Sequence, residues 1–293
     1  MNCTLCPRNC EVDRMKKMGF CHSGPTAVIT RAAPHLWEEP PISGTNGSGT
    51  VFFAGCNLRC VFCQNVAISR DGTKGRAVTA EELRTIFLRL KDEGVHNINL
   101  VTPTHFAHVI GEALNEPIGL PVVYNSGGYE QVETLRSLEG KIQIYLPDMK
   151  YMDEGIAAQY SAAPDYPQVA KEAILEMFRQ VGPCRLDEDG ILQQGIIIRH
   201  MILPGHTKNT LAVIDWVANT FKKGEVLFSL MSQYTPTEEV ANHKNLGRKI
   251  TRREYKKCRD AMLDAGIEDG FVQDLTAATD GYVPDFDGTG TLL

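Results

Sequence analysis

Apolar residues fall along this chain in two alternating rhythms. Runs rich in β-branched and aromatic residues, at 50–54, 97–101, 121–124, 142–146, 195–202 and 226–231, have the length and composition of buried strands. Between them, apolar positions recur at intervals of three and four, as in Leu83, Ile86, Phe87 and Leu90, which predicts amphipathic helices. Similar spacing covers 106–114, 129–138 and 211–221. Helix starts carry their own signals. Thr79 with Glu82 and Thr251 with Glu254 read as capping boxes, while Asp165, Pro167 and Gln168 read as the cap, first-turn proline and N3 glutamine of a long helix. Gly94 ends the first of these helices.

Six strands, each followed by a helix or a helix-bearing connection, predict parallel βα units. The fold class is therefore α/β, a partial (β/α)6 TIM-like barrel, open where an eightfold barrel closes. Its functional groups belong at the C-terminal ends of the strands. Upstream the rhythm breaks. Residues 24–50 are rich in Pro, Gly, Ser and Thr and read as a connector, joining a small N-terminal four-cysteine knuckle to the core. The expected division lies near Gly44, with 1–43 as cysteine-rich segment and connector and 44–293 as core with a C-terminal extension.

Composition narrows the class of function. With 43% hydrophobic and 23% charged residues the chain is an ordinary globular one, and no apolar run approaches a membrane span. Its N-terminus has neither a basic flank nor a long apolar stretch, so the expected location is cytoplasmic, with no membrane partner. A formal net charge of −6 without a basic block argues against nucleic acid as a partner.

Cysteine usage changes the picture most. Seven of the nine cysteines precede residue 64, in two clusters, a pattern of metal ligation in a reducing compartment. Cys184 and Cys258 are left without a role. The first cluster is Cys3, Cys6, Cys10 and Cys21, with His22 as a spare candidate ligand. Four thiolates can close a tetrahedral site at zinc or a single iron, or bind a second iron–sulfur cluster; a closed structural site, independent of the second cysteine cluster, is the expectation. That second cluster is Cys56, Cys60 and Cys63 in Gly55-Cys-Asn-Leu-Arg-Cys-Val-Phe-Cys-Gln-Asn65, directly after the first strand. One short loop then offers three thiolates, the usual ligands of iron–sulfur clusters, and leaves one iron of a cubane open to a small molecule. A structural zinc or disulfide loop is the plainer alternative, but no fourth ligand follows in the loop.

At these residues, C-x-x-x-C-x-x-C with the aromatic Phe62 before the last cysteine, the chain resembles the radical S-adenosylmethionine (SAM) enzymes. The resemblance implies a [4Fe-4S] cluster on Cys56, Cys60 and Cys63 whose open iron chelates SAM, and reductive cleavage of SAM to methionine and a 5′-deoxyadenosyl radical. Residues 39–44, Glu-Pro-Pro-Ile-Ser-Gly, are similar to a segment in relatives of the pyruvate formate-lyase activating enzyme. The strand ends extend the likeness. After the third strand Asn125-Ser126-Gly127-Gly128 is similar to the Asp-Thr-Asn-Gly turn of glycyl-radical-enzyme activases, with Asn125 in the acidic position. After the fourth, Asp148-Met149-Lys150 matches their Asp-x-Lys, and residues two apart can both face the cavity. After the fifth, Arg199 to Gly205 matches Arg-x-x-x-x-Pro-Gly. After the second, Thr102-Pro103-Thr104-His105 departs from the glycine-rich segment usual in the family.

The implied SAM contacts are Thr102, Thr104, His105, Asn125, Ser126, Gly127, Asp148, Lys150 and Arg199, with Gln233 after the sixth strand. His105, His200 and His206 are expected near the rim, and His35, His96 and His243 as structural or exposed. The resemblance implies a flavodoxin or ferredoxin electron donor and, as substrate, a backbone glycine in a partner protein, which would make the chain a glycyl-radical-enzyme activase. Radical modification of another protein, peptide or small molecule is the alternative within enzymes, and a non-catalytic metal-binding module the alternative outside them.

Overall fold

The computed structural model describes residues 2–278 and 283–292. Its strands are β1 (Ala27–His35), β2 (Ser48–Phe53), β3 (Arg76–Val78), β4 (Ile98–Val101), β5 (Val122–Ser126), β6 (Ile144–Pro147), β7 (Arg185–Leu186), β8 (Leu192–Met201), β9 (Leu227–Met231) and β10 (Gly270–Val272). The helices are α1 (Pro40–Ser43), α2 (Val66–Ser69), α3 (Ala80–Asp92), α4 (Ala107–Ala113), α5 (Val132–Ser137), α6 (Glu154–Ser161), α7 (Tyr166–Val181), α8 (Thr207–Thr220) and α9 (Arg252–Asp264). Ten strands make one sheet, ordered β10-β9-β8-β6-β5-β4-β2-β1-β3, with β7 beside β8. Along that order from β2 to β10 every neighbouring pair is parallel, while β7 pairs antiparallel with β8. The six expected strands stand in their expected places, and the α/β partial barrel forms.

Side-chain parity along these strands sets the two cores. On β4, Ile98 and Leu100 turn toward the helices and join the large cluster that holds Leu83, Ile86, Phe87 and Leu90 of α3. On β5, β6 and β8, Val123, Ile144, Leu146, Leu192 and Ile197 form a separate cluster inside the barrel. Both capping boxes are made, Thr79 receiving the Glu82 N–H and Thr251 that of Glu254. Asp165 differs from expectation. It stands at the start of α7 without a side-chain cap bond, because its carboxylate accepts the Tyr129 hydroxyl at 2.8 and 2.9 Å.

The segment expected as a connector holds a strand. β1 pairs antiparallel with β2, with Ala32 opposite Val51, and with β3. The division expected near Gly44 thus falls between two strands hydrogen-bonded to each other. Because β1 runs opposite to β2, it ends with His35 beside Ser48, at the N-terminal mouth of the barrel. The chain then turns beneath that mouth. α1 carries the fully buried Ile42 into the inner cluster, its carbonyl accepts Asn97 Nδ2 at 2.7 Å, and Asn97 in turn accepts Ser48 Oγ at 2.6 Å. The sequence 39–44 is a plug rather than a linker. β10, only three residues long, is likewise beyond the reach of a periodicity argument.

Truncating the plug's anchor tests this placement. Ile42→Ala should cost about 2–5 kcal/mol in urea unfolding, the range for a buried aliphatic side chain whose site cannot collapse. A loss below about 0.5 kcal/mol, the scale of surface substitutions, would show that α1 does not seal the barrel.

Candidate active site

The cluster loop begins where β2 stops. Gly55 turns the chain at φ +82°, and a Cβ there would fall 2.5 Å from both Cys21 O and Ser23 Oγ, so only glycine lets the loop lie against the N-terminal segment. Phe62 is buried edge-on among Tyr151, Tyr160 and Tyr234, with ring centroids 6.1–6.5 Å away, which fixes Cys63 beside it. Donors reach the sulfurs: Leu58 N–H to Cys56 Sγ at 3.4 Å and Ser161 Oγ to Cys60 Sγ at 3.0 Å. Burial, and then the neighbouring Cys60 and Cys63 sulfurs, push the Cys56 thiol up to about 12. Burial and Cys60 raise Cys63 as well. Thiols raised in this way, as Cys56 and Cys63 are, need positive charge to ionise, and bound iron would supply it. Among the described residues no three His, Cys, Asp or Glu side chains converge on a single-ion site. A cubane asks for less, since each thiolate takes its own iron; the donor set here fits one.

Cys60 and Cys63 open onto a cavity of about 990 Å³. Its opposite wall is an ion network. Beyond the end of β6, Asp148 bridges to Arg199 of β8 in parallel register, and the Met149 N–H donates to Arg199 O at 2.8 Å. That pairing brings the side chains together. Asp148 accepts Lys150 Nζ at 2.5 Å on one oxygen and Arg199 Nε at 3.0 Å on the other. Arg199 continues through Nη2 to Asn125 Oδ1 at 2.7 Å and through Nη1 to Glu38 at 3.4 Å, and Asn125 Nδ2 closes the ring on Glu38 at 3.1 Å. Burial alone would raise the Asp148 carboxyl, but Arg199 and then Lys150 outweigh it and hold it below its ordinary value. Burial likewise works against the Lys150 ammonium, and Asp148 and Cys60 carry it upward. The network is stably charged.

With the thiol loop and this wall in place, the profile of the radical SAM superfamily matches residues 50–285. The chain belongs to the radical SAM superfamily. An uncharacterised protein of Methanocaldococcus jannaschii is 28% identical over 266 residues, 87% of this chain and 72% of its own. Among solved structures, SuiB of Streptococcus suis is similar in fold at 14% identity and a TM-score of 0.50, covering 77% of this chain and 49% of that one, so this chain spans about half of SuiB. A domain of a pyruvate-formate lyase-activating enzyme from Bacteroides vulgatus matches at 13% identity and a TM-score of 0.37 over 67% of this chain and 91% of that one.

Of the positions expected in this radical SAM protein to meet SAM, Asn125, Asp148, Lys150, Arg199 and Gln233 line the cavity. Ser126 lies beneath it, accepting the Gly128 N–H, and Gly127 accepts the Tyr166 hydroxyl at 2.9 Å. Thr102 takes a left-handed φ of +60° and donates its N–H to Asn125 O, and it is not among the cavity-lining residues. Thr104 and His105 turn the other way. Thr104 Oγ1 donates to the buried Glu130, and His105, 2% exposed, gives Nε2 to Ala54 O at 2.7 Å. Burial pushes His105 and His200 each down to about 4, and His200 is enclosed between Met149 O and Thr210 Oγ1, so neither sits on the rim. His206 pairs with the Tyr160 hydroxyl, whereas His35, expected to be structural or exposed, lines the cavity.

Two residues escaped the sequence reading. Glu38 and Glu39 stand on the plug at the cavity floor, Glu39 accepting Ser229 Oγ at 2.9 Å, its carboxyl raised chiefly by burial. The signal was present as two adjacent acids in an otherwise apolar turn, Trp37-Glu38-Glu39-Pro40-Pro41-Ile42.

The N-terminal segment that carries Cys3, Cys6, Cys10 and Cys21 packs against the core beside this site. Cys6 and Cys21 are buried, burial and then Cys21, Glu130 and Cys10 push Cys6 up to about 12, and Cys10 Sγ accepts the Phe20 N–H at 3.3 Å. Yet the segment lies across the core through Arg14 to His105 O, Leu5 O to Thr134 Oγ1, and His22 to Arg59 of the cluster loop.

Removing the charge at the network's centre should be costly. In Asp148→Asn the Lys150 and Arg199 cations lose their shared carboxylate, and unfolding free energy at neutral pH should fall by about 3–5 kcal/mol. Because the folded Asp148 pKa lies below the unfolded one, its contribution is present above the carboxylate range and lost as pH falls through the folded value. The wild-type stability curve should therefore drop more steeply below about pH 4 than that of Asp148→Asn; parallel acid limbs would contradict the network.

Proposed function

We propose that this protein cleaves SAM reductively and uses the resulting 5′-deoxyadenosyl radical to abstract hydrogen from a substrate, a backbone glycine of a partner protein in the favoured reading. The observation that carries the proposal is that two cluster-loop thiols and the Asp148–Lys150–Arg199 network face one cavity. When bound at Cys56, Cys60 and Cys63, the [4Fe-4S] cluster supplies the electron for cleavage, received from a flavodoxin or ferredoxin.

The chain's own residues bind and orient. Lys150, beside both Cys60 and Asp148, is placed to meet the SAM carboxylate. Thr104 and His105 turn away from the cavity, and the carboxylate placed there to meet the SAM ammonium is that of Glu38, held by Asn125 and Arg199. Phe62 and its three tyrosines keep bulk water from the reacting end. The plug closes the barrel below, leaving Glu39 at the cavity floor and Gln233, beyond the end of β9 and bonded to Gln64 of the cluster loop, for the substrate. Support for a glycine target comes from the Asn125, Asp148–Lys150 and Arg199 positions, shared in pattern with activases; another protein, peptide or small molecule remains the alternative substrate. For Cys3, Cys6, Cys10 and Cys21 the proposal is a bound zinc or iron, supported by Cys10 and Cys21 each lying within electrostatic reach of Cys6, although among the described residues no three of these thiols converge on one ion.

Anaerobically reconstituted protein, reduced with dithionite, should convert SAM to 5′-deoxyadenosine, and the Cys56/Cys60/Cys63 triple alanine variant should not. Equal product from both would sink the assignment. Lys150→Ala should weaken SAM binding by about 1.5–3 kcal/mol, the scale of a charge-assisted hydrogen bond, with iron content unchanged; calorimetry that finds unaltered affinity would remove Lys150 from the site. The glycine reading is tested by the electron paramagnetic resonance (EPR) doublet of a glycyl radical in a partner protein, and its absence beside full SAM cleavage would favour the alternative substrates.

A further inference from the structure

Arg8 lies between Cys6 and Cys10 of the N-terminal segment, yet its guanidinium hydrogen bonds run to the core. Nε donates to Asn57 O at 2.8 Å, Nη2 to Ser161 O at 2.7 Å and Nη1 to Ala162 O. Asn57 belongs to the cluster loop, next to Cys56; Ser161 and Ala162 close α6. A helix leaves its last carbonyls unsatisfied and carries partial negative charge there, so a cationic fork is a fitting partner. Ala162, left-handed at φ +48°, ends the helix sharply enough for both carbonyls to reach one side chain. The guanidinium carbon also lies over the rings of Phe20 and Tyr129, 3.9 and 5.1 Å from their centroids, which limits its freedom to leave.

The same helix end touches a cluster ligand. Ser161 Oγ donates to Cys60 Sγ at 3.0 Å and lies 2.8 Å from the Tyr151 hydroxyl, while the Val61 N–H donates to Tyr160 O at 2.9 Å. Arg8 binds both sides of this seam at once.

We infer that Arg8 is a positioning residue for the catalytic cluster: it fixes the end of α6 against the cluster loop, keeps the Ser161 hydroxyl on the Cys60 sulfur, and so lets the cysteine-rich N-terminal segment set the cluster's reduction potential. The inference rests on the reading that Cys56, Cys60 and Cys63 hold the cluster. A hydrogen bond to a ligating sulfur favours the more negatively charged, reduced state and raises the potential. Lysine cannot replace the arginine, because one ammonium on a flexible stem does not span three carbonyls as a planar fork does.

The test is an EPR-monitored redox titration of the full-length, reconstituted protein, with iron and sulfide assayed in every sample. Arg8→Ala and Ser161→Ala should each lower the midpoint, so that the ratio of reduced to oxidised cluster at a fixed poise falls about tenfold, the scale of one hydrogen bond to a charged group. The double variant should fall no further than either single one, and Arg8→Lys should not rescue. Arg84→Ala is the matched control, since Arg84 also donates to three carbonyls, those of Ala113, Glu116 and Pro117, away from the cluster; it should titrate like the wild type. A wild-type midpoint in Arg8→Ala with full iron, or additive shifts in the double variant, would overturn the inference. Should Arg8→Ala assemble no cluster, Arg8→Lys and Ser161→Ala decide the matter by the same criterion. A wild type that takes up no [4Fe-4S] cluster would remove the underlying assignment and the inference with it.

Discussion

The arrangement depends on one carboxylate holding two cations inside a barrel. Asp148 neutralises Lys150 on one side and Arg199 on the other, and Glu38 gives Arg199 a second, longer ion pair. The backbone makes this possible before the side chains do. Parallel register between the extension of β6 and β8 places Asp148 opposite Arg199, and strand parity then turns Lys150 the same way as Asp148. Gly128, left-handed at φ +77°, lets the turn after β5 approach so closely that a Cβ there would meet Asp148 O at 2.2 Å. The wall is therefore specified by sheet geometry, and its charges face the thiol loop at the end of β2.

A second constraint is closure. An open parallel barrel has two mouths, and a site that generates a reactive radical must exclude water from at least one of them. Here the chain supplies the stopper from its own N-terminal third: β1 descends antiparallel to β2, and α1 packs Ile42 among the inner aliphatic residues. The carboxylates of Glu38 and Glu39 arrive with it, so sealing the barrel and furnishing its floor are one structural event. The opposite end is covered in part by the cysteine-rich segment, whose Arg8 and Arg14 both finish on backbone carbonyls of the core.

How much of this could be read from the sequence follows from what each signal is. The six parallel strands were legible because each is a run of apolar β-formers bounded by helix caps, and the thiol loop because its spacing is chemical rather than conformational. Asp148 and Lys150 were legible together through period-two parity. The same parity, applied to Arg199, already sends the neighbouring His200 to the helix side, where it lies buried. β1 was hidden by composition, since Ala32, Ala33 and Pro34 dilute its alternation and glycine-rich turns follow. Glu38, Glu39 and Arg8 were hidden for a different reason: their roles are contacts across 49 to 190 residues of sequence, which no local pattern encodes.

The central claim is that SAM binds in this cavity against a cluster held by Cys56, Cys60 and Cys63. The most direct test is the low-temperature EPR spectrum of the reduced, reconstituted protein with and without SAM. The account predicts a [4Fe-4S] signal whose g-values shift when SAM is added, because SAM enters the coordination sphere of the open iron. A cluster signal that stays unchanged at saturating SAM would contradict it.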